Sequence, residues 1–343
     1  MSLPQSFPMR VADGKTIQIP SVGFGTWADA EPKWCKEAVL AALNAGYRHL
    51  DCAWAYGVDQ PVGQAIRESG VPRSEIFITS KFWPNFARPG DIELCLDKIL
   101  SGMGLDYIDL YLAHWPISMK STSRQGLERA EAGHGRSLAD RGIAADTDGN
   151  EIVELEHSCA DVAAQKGVNG GYVENWKAMQ SLVRSGKTRA IGVSNFSIAE
   201  LEELLPHAKD IPISCNQIEA HPWLPNTQVI EFMRKHGIVA TCYCPLGGPK
   251  AQGGAMREDA KVLDVAKRNG MGVGGVLQSW AVQRGTIPLG KSQSEDRIKS
   301  NLAIKKLPDE DMQTLSSLEM PGDDGRTCGT ATGLMWSVKL YQN

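Results

Sequence analysis

Apolar residues along this chain gather in short β-rich runs that alternate with longer segments of helical period. The runs at 76–79, 108–112, 190–193, 213–217 and 238–243 predict strands, and the segments 34–45 and 92–103 predict helices. Strand followed by helix, repeated, is the rhythm of a parallel sheet covered on both faces. Polar or aromatic residues close several of these runs: His49 and Asp51, Ser80 and Lys81, His114, Ser194 and Asn195, Gln217, and Tyr243. In a closed barrel all such ends face one mouth, where active sites form.

A doubly wound dinucleotide fold is the competing arrangement, and it wants a G-x-G-x-x-G turn opening a helix. Gly23-Phe24-Gly25-Thr26-Trp27-Ala28 begins that way, but Asp29, Glu31 and Pro32 follow and would set acidic side chains beside a pyrophosphate. Gly272-Val273-Gly274-Gly275 reads as a turn flanking a helix. The pattern therefore predicts an α/β chain folded as a (β/α)8 TIM barrel, a single domain over residues 1–343. One stretch breaks the rhythm: residues 117–171 are rich in Gly, Ser, Asp, Glu and Arg, as in Gln125-Gly126-Leu127-Glu128-Arg129 and Asp146-Thr147-Asp148-Gly149-Asn150. So long a connection after strand 4 predicts an inserted loop over the active site, a lid, a binding loop or partly disordered, against the alternative of a surface insertion with no catalytic role. Residues 321–343 form a C-terminal tail carrying Cys328, Trp336 and Tyr341.

Composition narrows the class. With 343 residues, 42% hydrophobic and 22% charged, the chain can bury a full core, and a net charge of −4 supplies no basic field for nucleic acid. The first residues lack an apolar signal core and no segment reaches membrane-span length, so a cytoplasmic protein with no membrane or nucleic-acid partner is expected, working as a monomer. Eight cysteines are scattered through apolar stretches; Cys242 and Cys244 stand too close together for an ordinary zinc or redox motif, and reduced core thiols are expected.

Four residues at the strand ends bring the pattern to chemistry: Asp51, Tyr56, Lys81 and His114. They sit within Gly23-Phe24-Gly25-Thr26-Trp27, Tyr47-Arg48-His49-Leu50-Asp51-Cys52-Ala53-Trp54-Ala55-Tyr56, Ile78-Thr79-Ser80-Lys81 and Asp109-Leu110-Tyr111-Leu112-Ala113-His114-Trp115-Pro116. Further on come Ile191-Gly192-Val193-Ser194-Asn195-Phe196, Asn216-Gln217 and Tyr243-Cys244-Pro245-Leu246-Gly247. These segments closely resemble, in order, the motifs of the aldo-keto reductases, and the resemblance runs from Gly23 to Asn301. Singly, such a tyrosine is amphipathic core, such a lysine surface, and such an aspartate a helix cap; as an ordered set they imply NADPH-dependent reduction of an aldehyde, ketone or sugar carbonyl to the alcohol, reversibly.

Hydride transfer to a carbonyl leaves charge on oxygen, so a proton donor must stand over it. The resemblance gives that role to Tyr56. A tyrosine titrates near about 10; Lys81 would stabilise its phenolate, Asp51 would hold Lys81, and His114 would orient the substrate carbonyl. The same resemblance implies that Ser194, Asn195 and Gln217 hold the nicotinamide carboxamide while Tyr243 stacks on the ring. Gly25, Thr26, Trp27, Pro245, Leu246 and Gly247 complete that end of the cofactor site. Ile287-Pro288-Leu289-Gly290-Lys291-Ser292, with Arg297 and Asn301, resembles the adenosine-phosphate site, where Lys291 and Arg297 would neutralise a 2′-phosphate. Leu289 and Gly290 lengthen the family's turn, and Ser300 stands where a Glu often faces the adenine.

Trp27, Trp83 and Trp115 match pocket positions for a small-molecule carbonyl substrate, whereas Trp54 occupies a place usually held by a smaller residue and fits core packing. Two other functions share the fold: a cofactor-binding regulatory module resembling the channel-associated members of the family, and an isomerase or lyase that uses the barrel mouth without nicotinamide. The complete tetrad and the nicotinamide-site residues favour the reductase, with no metal.

Overall fold

Strands that are apolar at nearly every position need cover on both faces, and here they receive it. The computed structural model describes residues 2–27, 32–133, 135–247, 255–328, 334–336 and 338–340; Ala28, Asp29, Glu31 and Tyr341 lie outside the described residues. Eight parallel strands close into a barrel: β3 (Gly23–Gly25), β4 (His49–Asp51), β5 (Phe77–Phe82), β6 (Ile108–Ala113), β7 (Thr188–Ser194), β8 (Cys215–Glu219), β9 (Val239–Tyr243) and β10 (Ile287–Gly290). Closure comes from β10, which pairs with β9 through Ile287 and Thr241 and with β3 through Leu289 and Gly23. Every residue of β5 and β6 is buried.

Around the barrel run α1 (Cys35–Ala45), α2 (Asp59–Ser69), α3 (Asp91–Met103), α6 (Tyr172–Arg184), α7 (Ile198–Leu204), α8 (Thr227–Lys235), α10 (Val273–Gln283) and α11 (Glu295–Leu302). Two further helices, α9 (Ala260–Asn269) and α12 (Asp309–Ser316), pack beside α10 on a separate apolar cluster that includes Val262, Val265, Leu277 and Leu315. Gly272 is the residue before α10, but Val273, Gly274 and Gly275, read as part of the same flanking turn, form the first turn of the helix itself.

The barrel has one plugged end. An N-terminal hairpin, β1 (Ser6–Arg10) and β2 (Thr16–Pro20), buries Met9 and Ile19 against Phe77, Cys215 and Ile287, which begin their strands. The opposite end, where the strands finish, is the one left for chemistry.

Residues 117–171, expected to be a lid, a binding loop or a partly disordered connection, carry local structure of their own. Isolated bridges join Met119 to Val153, Ser121 to Ile143 and Ala145 to Glu151, and the segment carries α4 (Arg124–Arg129) and α5 (Ala160–Ala164). Met119, Leu127, Ile143, Cys159 and Val162 are buried in the main core. Apolar residues too widely spaced to show a period still find the barrel helices, which is why the order was invisible to pattern.

The cysteine expectation fails at one pair. Cys244, just past β9, and Cys328, in the tail, are joined by a disulfide across 84 residues, while the other six are free and buried. The tail folds back over the strand ends and brings together two residues that no sequence spacing connects. Among the described residues, no helix is long and apolar enough to cross a membrane, and no cluster of His, Cys, Asp and Glu could hold a metal ion.

Candidate active site

The four candidate catalytic residues converge from three consecutive strands. Asp51 ends β4, Tyr56 lies on the single helical turn Trp54–Tyr56 that follows it, Lys81 is inside β5, and His114 follows β6. Gly57 ends that turn at φ 66°, a left-handed conformation that costs glycine little, and so fixes the direction of Tyr56. A Cβ at Gly57 would also come within 3.0 Å of Gly133 of the insertion.

Lys81 is fully buried, and its ammonium donates to both Asp51 oxygens (3.0 and 2.9 Å), to the Cys52 carbonyl (2.8 Å) and to the Tyr56 hydroxyl (3.4 Å). Burial acts to lower the Lys81 pKa, but the Asp51 carboxylate and the Tyr56 oxygen outweigh it, and the pKa lies above the ordinary lysine value. Charge on Lys81 is therefore secured. Asp51 is fixed in turn by Gln217 Nε2, 2.7 Å from Oδ1, while its carbonyl accepts from Thr26 Oγ1 at 2.8 Å.

At Tyr56 the expected pull of Lys81 on the phenol is present but outweighed by burial. Burial pushes its phenol up to about 12, and the pull of Lys81 in the other direction offsets only part of this, with Asp51 opposing it. In the protein alone Tyr56 is thus firmly protonated, which suits a proton donor better than a base. The His114 ring stands edge-on to Tyr56 with centroids 5.8 Å apart, edge-on to Trp83 at 5.0 Å and stacked near Trp115 at 6.1 Å. Asn195 Nδ2 donates to the His114 carbonyl at 3.0 Å.

The nicotinamide-site candidates also come together. Ser194 Oγ donates to the Gln217 carbonyl (2.9 Å), and Tyr243 donates through its hydroxyl to Asn195 Oδ1 (2.7 Å). Asn195 holds φ 66° at the end of β7, a left-handed conformation asparagine tolerates. With Gln217 Nε2 committed to Asp51, its Oε1 is left as an acceptor, and amide and hydroxyl groups beside a tyrosine ring match the donors, acceptors and flat face of a nicotinamide carboxamide. Gly25 keeps the β3 backbone close to its neighbour: a Cβ there would meet the Leu289 carbonyl at 3.2 Å. Thr26 is buried, and Trp27 is 39% exposed at the rim. Pro245, Leu246 and Gly247 follow Tyr243, with Gly247 at φ 82° against Met256.

A second group lies at the end of β10. Lys291 stands over the Trp34 ring at 4.7 Å, Arg297 Nε donates to Ser292 Oγ at 3.3 Å, and Ser294 caps α11 by accepting from the Arg297 N–H. Two cations and a helix N-terminus make chemistry suited to a phosphate. Asn301 lies in the last turn of this helix, buried where α11 faces α10.

Of the tryptophans, Trp83 is 7% exposed beside His114, and Trp54 is core, edge-on to Phe86 at 4.8 Å. Sequence reasoning missed three neighbours. Trp336 from the tail stands edge-on to both Trp83 (6.0 Å) and Trp115 (5.3 Å). Arg141 of the insertion lies 5.4 Å over the Trp83 ring. Glu219, at the end of β8, is buried and accepts from the Thr327 N–H (2.6 Å), the Thr327 hydroxyl (2.7 Å) and the Cys328 N–H (3.2 Å), anchoring the start of the tail.

Comparison with known proteins places this geometry. Residues 21–319 match the family model described as the aldo/keto reductase family. Aldehyde reductase YPR1 of Saccharomyces cerevisiae is 41% identical over 304 residues, covering 88% of this chain and 87% of the relative. Glycerol 2-dehydrogenase (NADP(+)) of the same yeast is 38% identical, covering 88% of each. Among solved structures, the aldose reductase of Schistosoma japonicum superposes with a TM-score of 0.74 at 30% identity, over 92% of this chain and 93% of that one.

Proposed function

The chain belongs to the aldo/keto reductase family, and from that premise we propose that it reduces small carbonyl compounds with NADPH, using Tyr56 as the proton donor. It is an NADP-dependent oxidoreductase that interconverts carbonyls and alcohols, as relatives on both sides of that equilibrium indicate. The observation that carries the assignment of roles is Lys81, whose buried ammonium touches the Asp51 carboxylate and the Tyr56 hydroxyl together.

When bound, NADPH supplies the hydride. Ser194, Asn195 and Gln217 would hold its carboxamide, Tyr243 its ring, and Lys291, Ser292, Arg297 and Asn301 its adenosine phosphate, with Gly25, Thr26, Trp27 and 245–247 lining the path. His114 donates a hydrogen bond to the substrate carbonyl and sets its direction. Tyr56 passes its proton to the same oxygen, and Lys81 compensates the charge left on the phenolate oxygen. Asp51 keeps Lys81 at that position, and Trp27, Trp83 and Trp115 exclude water from the rest of the substrate.

We take residues 117–171 to cover the active-site mouth, which the contact between Arg141 and Trp83 supports. We place the protein in the cytoplasm, acting as a monomer on a small molecule. The test is NADPH oxidation across aldehydes, ketones and aldoses, with NADH in parallel and Tyr56→Phe as control. NADPH-linked turnover that falls at least 100-fold in Tyr56→Phe, with NADPH binding retained, is the expected result. Turnover unchanged in that variant would remove Tyr56 as the acid.

A further inference from the structure

The insertion and the tail meet at one carboxylate. Glu151 is set by the tight turn before it, where Asp146 Oδ1 accepts from the N–H groups of Asp148 and Asn150 (both 2.9 Å) and Ala145 bridges to Glu151. One oxygen of Glu151 accepts from the indole N–H of Trp336 at 2.5 Å. The other faces Arg141 Nη1 at 3.9 Å. Arg141 is 6% exposed; its Nε and Nη2 have no partner among the described residues, and its carbonyl accepts from Asn85 Nδ2 at 2.9 Å. Hence the cation over Trp83 and the hydrogen bond to Trp336 both run through Glu151.

Trp83 and Trp115 lie against His114, and Trp336 packs edge-on against both of them. A substituent on a carbonyl held at His114 meets indole surface on three sides. Flat apolar groups gain from contact with indole faces, whereas a hydroxyl group laid against such a face gains little.

We propose that Glu151 is a positioning residue that fixes Trp336 as the third indole wall of the substrate pocket, selecting carbonyl compounds with a flat apolar substituent over polyhydroxylated ones. The proposal deepens the reductase reading and rests on it. The insertion thereby sets selectivity by holding a residue of the tail.

Steady-state kinetics with NADPH on benzaldehyde and glyceraldehyde test it, in the full-length protein and in Glu151→Ala, Glu151→Gln, Trp336→Ala and the Glu151→Ala/Trp336→Ala pair. NADPH binding by fluorescence serves as the check on folding. The ratio of kcat/KM for benzaldehyde to that for glyceraldehyde should fall about tenfold in Trp336→Ala, chiefly through KM, the scale of an aromatic contact with its buried area. Glu151→Ala should reproduce most of that fall, and Glu151→Gln, which keeps an acceptor for the indole N–H, should recover it. In the double variant the two losses should not multiply, because Glu151 acts through Trp336.

A ratio unmoved in Glu151→Ala, or losses that multiply in the pair, would overturn the proposal while leaving the reductase reading intact. Preference of the unaltered protein for glyceraldehyde would overturn it as well. Failure of the unaltered protein to reduce either aldehyde would take down the reductase reading and this proposal with it.

Discussion

Replacing Lys81 by Met removes the charge on which the proposed acid depends and keeps the volume of the side chain. At the observed 3.4 Å between Lys81 Nζ and the Tyr56 oxygen, a unit positive charge and a full phenolate attract by about 5 kcal/mol at an effective dielectric of 20. If the proton is half transferred in the transition state, roughly half of that is lost, about 2.5 kcal/mol, or between tenfold and 100-fold in rate. The loss should appear in kcat, because the charge develops only as the proton leaves. Stability is a separate matter: Asp51 is 4% exposed, and stripping a buried carboxylate of its partner costs about 3–5 kcal/mol. The Lys81→Met/Asp51→Asn pair removes both charges, so it should regain stability without regaining rate. Single-turnover NADPH oxidation by stopped flow, repeated with deuterated NADPH to show that hydride transfer is being observed, measures the step directly. A folded Lys81→Met variant whose isotope-sensitive rate stays within threefold of the parent would refute the reasoning, as would full recovery in the pair.

Three further expectations follow from other parts of the structure. Lys291→Ala with Arg297→Ala should weaken NADPH by about 100-fold, the scale of two charge-assisted contacts, and NADH by much less; equal loss for both in fluorescence titrations would dismiss the 2′-phosphate assignment. Alcohol oxidation with NADP+ needs Tyr56 as phenolate, and with its pKa raised to about 12 the rate should climb steadily with pH across the alkaline range while carbonyl reduction stays flat; a plateau in oxidation near neutrality would contradict this. The Cys244–Cys328 disulfide closes a span of 84 residues, so its loss in Cys328→Ser should remove up to roughly 4–5 kcal/mol by chain entropy and lower Tm by about 6 °C. Eight titratable thiols in unreduced, denatured protein would show that the bridge does not form.

Much of the barrel was legible in the amino-acid sequence because five of its eight strands, β5 to β9, carry their own apolar signal. The departures lie at the strand ends and have a physical cause. The apolar run at 76–79 predicts a strand that stops where Ser80 and Lys81 begin, yet β5 continues to Phe82, pairing Ser80, Lys81 and Phe82 with Tyr111, Leu112 and Ala113. Burial accommodates Lys81 inside a strand only because Asp51 and the Cys52 carbonyl answer its charge. Thr188 and Ser194 extend β7 past both ends of the run at 190–193 for a similar reason, since their hydroxyls donate to the Ala190 and Gln217 carbonyls. Function therefore interrupts the very pattern from which structure is read, and the interruptions mark the site.

The insertion and the tail were not legible, and the reason is distance along the chain. Glu151 and Trp336 are 185 residues apart, Cys244 and Cys328 are 84 apart, and Glu219 reaches 108 residues to Thr327. None of these pairs leaves a periodic or local trace; each exists only after the barrel has brought the strand ends into one mouth. The proposed division of labour has a consequence for how such a mouth can change. Asp51, Lys81 and Ser194 lie on regular strands whose ladders fix them, so a substitution beneath them disturbs chemistry and fold together. Trp336 and Arg141 are held by side chains of irregular segments, so substitutions there can re-shape what the pocket accepts while the ladder that orients Lys81 stays paired. On the proposed roles selectivity is separable from catalysis, and an altered insertion or tail should shift substrate preference before it costs turnover.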